Sequence, residues 1–165
     1  MIVDPHERKS VYVADSNGGK GDGIFARRQF QSGELVSYFN GIKTTEDKIF
    51  HETMTKKEER HASAYYYGLG ADAPAIYKVP EDVHLDMPDP YRSTDHYTTT
   101  MGHKVQHKFE DTNVYFGIVD HPVFGPIVCL IATEEIDVDE EIFVSYGYGL
   151  EDGPKWYRDL HDEYN

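Results

Sequence analysis

At 165 residues, with 39% hydrophobic and 13% aromatic composition, the chain is sized for one domain with a substantial core, which excludes multidomain machinery and extended disorder. Acidic residues outnumber Lys and Arg by 30 to 16, and the net charge of −14 repels phosphate backbones and anionic lipids, so a basic protein or peptide is the expected partner, with no direct nucleic-acid or membrane binding. The single cysteine, Cys129, excludes an intrachain disulfide or a thiolate zinc site, and without a long apolar run or a secretory start an intracellular protein, nuclear or cytoplasmic and monomeric, is expected.

Val11-Tyr12-Val13-Ala14 is β-prone, breaks at the glycine-rich run from Asp15 to Gly23, and resumes at Ile24-Phe25-Ala26, predicting strand, loop, strand. Glu34 to Phe39 predicts another strand, and Asn40-Gly41 predicts a tight hairpin into Ile42-Lys43. Thr44-Thr45-Glu46-Asp47 resembles a helix-capping box, and a helix is expected through the charged stretch that follows, as an insertion over residues 46–64. Tyr65 to Gly70 reads as extended, Ile76 to Pro80 as a short strand, and residues 81–95, rich in Pro and Asp, as a surface loop. Val114 to Val119 and Ile127 to Ala132 predict a hairpin around Asp120 to Pro126, and Ile142 to Tyr148 a last strand. Pro154 sits where a C-terminal helix would begin. Short strands, few helices and no repeat give a mainly β fold.

Three common site motifs fail on inspection. The glycine run lacks both the last glycine and the helix of a dinucleotide loop, and no Ser or Thr follows its Lys as a phosphate loop requires. His103 and His107 are four apart, as a metal pair on a helix would be, but no Glu fills the slot of a metalloprotease motif. Asp137-x-Asp139-x-Glu141 imitates a calcium loop yet has Ile142 where the turn needs glycine, so no metal is expected. Tyr146-Gly147-Tyr148 differs: a glycine between two phenols at a strand end suits a narrow aromatic channel, or ordinary core packing.

Four ordered segments now stand out: Gly21 to Ala26, Gly33 to Gly41, Gly102 to His107, and Asp139 to Tyr148. Together they resemble the motifs of SET-domain protein lysine methyltransferases, over about Val11 to Tyr157. Asp4-Pro5, His121-Pro122-x-Phe124-Gly125-Pro126 and Trp156-Tyr157 are similar to the histone methyltransferase subgroup whose SET domain follows MORN repeats. The resemblance implies one SET domain across residues 1–165: small curved β-sheets, a C-terminal pseudoknot, an inserted helix, and a short C-terminal helix within a lid at 149–165.

It also implies S-adenosylmethionine as methyl donor, S-adenosylhomocysteine as product, and a histone or other basic tail as acceptor. By position, Lys20, Gly21, Asp22, His103, Lys104, Gln106, His107 and Trp156 would hold the cofactor, with Lys104 on its carboxylate and Trp156 stacked on its adenine. Tyr146 and Tyr148 would be catalytic, and Phe39, Tyr67, Gly68, Leu69, Gly70 and Phe116 would form the substrate channel, the peptide adding as a strand near Tyr67. Phe39 and Phe116 stand where the monomethylating subgroup carries Tyr, which implies methylation beyond the first step. Gln106 departs from the family's Asn, and a hydrogen bond misplaced by its extra methylene would cost about 1–3 kcal/mol. A weak or silent module that binds basic peptides therefore stands as the alternative.

Overall fold

A computed structural model describes residues 2–17, 21–45, 55, 63–151 and 153–164. The chain opens with a helix the sequence reading did not anticipate, α1 (Pro5–Ser10). Its signals are local: the Asp4 side chain caps the His6 N–H, proline takes the first turn, and Arg8 and Lys9 meet the negative end of the dipole. As expected, β1 (Val11–Asp15) and β2 (Asp22–Ala26) form an antiparallel pair around the glycine-rich loop.

Five strands make the main sheet: β3 (Leu35–Phe39), β7 (Gln106–His107), β8 (Val114–His121), β9 (Gly125–Ala132) and β10 (Phe143–Val144), in the order β3-β9-β8-β10-β7. The β8–β9 hairpin has the expected boundaries within two residues and pairs Val114 with Ala132 through His121 with Gly125. Central β9 buries Ile127, Val128, Cys129 and Leu130 in succession, the continuous apolar run of a strand covered on both faces. The strand expected from Ile142 to Tyr148 shortens to β10, which enters parallel between β7 and β8. This crossing brings the C-terminal tyrosine motif alongside the 102–107 segment.

The smaller sheet, β4 (Ile42–Thr44), β6 (His84–Asp86) and β5 (Tyr66–Tyr67) in the order β4-β6-β5, corrects three expectations. Asn40-Gly41 closes no hairpin, because Asn40 is spent on tertiary bonds, its N–H donating to Thr100 Oγ1 and its side-chain amide to Tyr97 Oη, and the chain crosses to another sheet. Residues 81–95 are not all loop: Leu85 and Met87 are buried, and their spacing puts them on one face of β6 and its extension. Residues 76–80 form no strand. Ala75–Tyr77 is a 3₁₀ turn that ends in left-handed Lys78, while Ile76 is 81% exposed, and Pro74 and Pro80 bracket a segment unable to complete a ladder. The Tyr65–Gly70 stretch is extended only at β5 and then turns into α2 (Leu69–Asp72). The expected C-terminal helix is α3 (Lys155–Tyr164). The inserted helix at 46–64 and the cofactor residue Lys20 lie outside the described residues, apart from Thr55, Ser63 and Ala64.

Two cores result. One gathers Ile24, Phe30, Val36, Val105, Leu130 and Ile142 between the β1–β2 pair and the main sheet. The other joins the two sheets through Phe39, Leu69, Leu85, Met87, Ile127 and Val128. Phe116 packs against both, so the seam between the cores runs past its ring. Each fully buried Leu, Ile, Val or Phe stabilises the fold by roughly 1.5–3 kcal/mol, so the two clusters hold the sheets together on either side of that seam.

Candidate active site

The site begins at the glycine loop. Asp22, first in β2, points its carboxylate at Lys104, whose Nζ donates to it at 2.8 Å, and the Gln106 side-chain amide donates to the Asp22 carbonyl. Gly23 has a steric reason: a Cβ there would stand 2.5 Å from Glu141 Oε1. Glu141 is buried and its other oxygen accepts the Asn17 N–H at 3.0 Å, bracing the base of the loop; it was not among the sequence candidates. Gly21, at φ 95°, begins the return from the loop.

His103 and Lys104 lie in a 3₁₀ turn (Gly102–Lys104) and His107 in β7. His103 is 3% exposed, with Tyr97 and Tyr65 ring centroids 5.8 and 6.4 Å away. Burial, with help from the Lys104 charge, pushes its pKa down to about 4, so the ring is neutral at pH 7. The two histidines have separate tasks. His107 Nδ1 accepts the Tyr146 N–H at 3.1 Å, and its ring lies 4.5 Å from Phe109 and 5.0 Å from Tyr157. A cavity of about 470 Å³ opens beside it, lined by Phe109, Glu110, Leu160, Glu163 and Tyr164 among others.

Tyr146 Oη donates to the Val105 carbonyl at 2.9 Å, tying the C-terminal motif to the 102–107 segment. Gly147 then takes φ 70°, a turn that a side chain would strain, and lets Tyr148 face a different partner. Tyr148 Oη donates to the Ser63 carbonyl at 2.6 Å, and burial pushes its pKa up to about 12. Trp156, at the start of α3, is 6% exposed and donates its indole N–H to Ser63 Oγ at 2.7 Å. Ser63 was not a sequence candidate.

The candidate channel residues divide into two groups. Phe39 and Phe116 face each other with ring centroids 6.5 Å apart, and Tyr67 meets Phe116 at 5.3 Å. Tyr115, on the other face of β8, is 50% exposed, so strand alternation correctly separates it from Phe116. Tyr67 Oη donates to Asp72 Oδ2 at 2.8 Å, and burial first, then Asp72, raises its pKa. Gly68 precedes α2, Leu69 is wholly buried in the second core, and the Gly70 N–H donates to the Val83 carbonyl. Leu69 and Gly70 thus serve packing. Among the described residues the strand edge on that side is β5 alone.

With this geometry in place, comparison with known proteins decides the family. The SET domain family matches residues 21–147, from the glycine loop through Gly147. The chain belongs to the SET-domain family. It is 27% identical over 167 residues to histone-lysine N-methyltransferase SETD7 of Halocynthia roretzi, an alignment that covers 96% of this chain and 39% of that protein. The chain therefore spans well under half the length of that relative. Among solved structures, a histone methyltransferase of Plasmodium falciparum superposes with a TM-score of 0.54 at 20% identity, covering 86% of this chain and 96% of the other. The polycomb repressive complex 2 of Chaetomium thermophilum, bound to S-adenosylmethionine, gives 0.54 at 18% identity over 94% of this chain and 17% of that one. At such identities the structural matches establish the SET fold, with its curved sheets and few helices.

Proposed function

We propose that this SET domain is an S-adenosylmethionine-dependent protein-lysine N-methyltransferase acting on histone or other basic protein tails. The observation that carries the reading is Tyr146, bonded to Val105 and to His107 and packed against the first core, the same core that Phe116 touches from its cluster with Phe39 and Tyr67. The relative from Halocynthia roretzi supports the activity, and the motifs from Asp4 to Trp156 favour the subgroup that carries MORN repeats.

The residues fit the donor. Lys104 sets a cation beside the Asp22 anion, the pattern that an amino-acid zwitterion matches, and Trp156 is the ring to which the resemblance gives the adenine. When bound, S-adenosylmethionine supplies an electrophilic methyl group on a sulfonium. The chain's own task is alignment and exclusion of water. Because the Tyr146 proton is committed to the Val105 carbonyl, its phenol oxygen keeps lone pairs to orient a polarised methyl group. Partial desolvation in the channel, together with the positive charge of a bound sulfonium, would lower the pKa of the incoming lysine, so the amine sheds its proton more readily. The resemblance places the acceptor peptide near Tyr67, and the net charge of −14 draws in a basic one.

The test is incubation with methyl-labelled S-adenosylmethionine and a panel of basic proteins that includes core histones. Label on lysine is expected. Binding of basic peptides by folded protein without any transfer would instead establish the silent module, for which the substitution of Asn by Gln106 is the argument.

A further inference from the structure

One residue outside every sequence motif is bonded to two aromatic members of the candidate site. Ser63 is 2% exposed and belongs to no part of the cofactor or channel set deduced from the sequence. Its carbonyl accepts the Tyr148 hydroxyl and its own hydroxyl accepts the Trp156 indole N–H, at 2.6 and 2.7 Å. The two rings so held stand edge-on with centroids 6.5 Å apart, and Trp156 is also edge-on to Tyr146 at 6.3 Å. Four positions after Ser63 comes Tyr67, the channel ring that meets Phe116. Packing against edges leaves an indole free to rock, whereas a bond at its single donor atom fixes the plane of the ring.

We propose that Ser63 is a positioning residue of the methyltransferase site: its hydroxyl sets the plane of Trp156 for the cofactor, while its carbonyl holds Tyr148 against the lysine channel. The inference rests on the methyltransferase reading above, and it adds a residue that links the two sides of the site. The two bonds come from different atoms and can be separated. Ser63→Ala removes the hydroxyl and leaves the carbonyl that Tyr148 uses.

The experiment compares the unsubstituted chain with Ser63→Ala, Trp156→Phe and the double variant, measuring S-adenosylmethionine affinity by calorimetry and peptide KM by steady-state kinetics. Ser63→Ala is expected to weaken cofactor binding about tenfold while peptide KM stays within about twofold. The chain has a single tryptophan, so its emission reports Trp156 alone and should shift in Ser63→Ala. Trp156→Phe keeps an aromatic ring but drops the donor, and should show a similar loss independently of any effect of Ser63 on folding. The double variant should bind no more weakly than the weaker single one. Wild-type affinity and unchanged emission in Ser63→Ala, or losses that multiply in the double variant, would overturn the role of Ser63 alone. Failure of the folded unsubstituted chain to bind S-adenosylmethionine overturns the methyltransferase reading, and this role with it.

Discussion

Tyr146 is the side chain on which the proposed chemistry turns, and two bonds define it: its N–H to His107 and its hydroxyl to the Val105 carbonyl. Tyr146→Phe leaves the ring and the backbone bond in place and removes the oxygen from the reacting centre. Turnover is expected to fall by roughly two to three orders of magnitude with cofactor affinity within a few-fold of wild type, since the oxygen acts chiefly in the transition state. Equal losses in affinity and turnover would assign the phenol to ground-state binding. Glu7 is the other residue with a measurable signature. It is fully buried on α1, accepting from the Ser37 hydroxyl and the Tyr38 N–H, yet burial outweighs those bonds and lifts its pKa to about 8. Folded protein thus holds a proton that the unfolded chain gives up above its ordinary value of 4.5. The resulting stability is complete below that value and is lost as pH rises through about 8, at about 1.4 kcal/mol per pH unit between the two. Melting curves at pH 6 and pH 9 should differ, and Glu7→Gln should shrink that difference by at least half. A difference of wild-type size in Glu7→Gln would remove Glu7 as its source.

At the level of elements, β8 decides which ring faces the proposed channel. Its alternation sends Phe116 inward beside Phe39 and Tyr67 and leaves Tyr115 half exposed on the far face. A tyrosine at either inward position would add a hydroxyl able to hold the amine or a water and restrict its rotation, whereas two phenylalanines leave a methylated amine free to turn its lone pair back toward the donor. Mass spectrometry of a peptide under cofactor excess is expected to show di- or trimethyl product, receding to monomethyl in Phe116→Tyr. Monomethyl product alone at long times would refute it. The same strand shows why part of the fold was legible. Period-two patterns and glycine turns located β1, β2, β3, β8 and β9, and the last helix was marked by its proline. The α1 signals at Asp4, Pro5, Arg8 and Lys9 were present but occupy only six residues of helix. β6 was hidden by the Pro- and Asp-rich residues around it, although Leu85 and Met87 keep the strand period. Ser63 left no local trace, because its work is done through a polar bond to a residue 93 positions away, and the acidic run around Glu141 gave no sign of its bond to Asn17, 124 positions away.

For the molecule as a whole, the proposed turnover and the stability are expected to pull in opposite directions with pH. In the proposed reaction the lysine amine acts without its proton, which favours alkaline solution, while Glu7 withdraws stability as pH climbs to about 8. A further consequence follows from β10, which lies parallel between β8 and β7 although the hairpin β8–β9 is complete before it in the chain. Its place is set by partners that precede it by about thirty residues or more, so docking it closes long loops, the slow kind of contact to make. Tyr146 lies two residues beyond the end of β10, and during synthesis it leaves the ribosome well after Val105 and His107, to which it is bonded. A nascent or truncated chain can thus have its hairpins and much of its hydrophobic interior and still lack the Tyr146 phenol in its place, so the proposed chemistry waits on the docking of one two-residue strand.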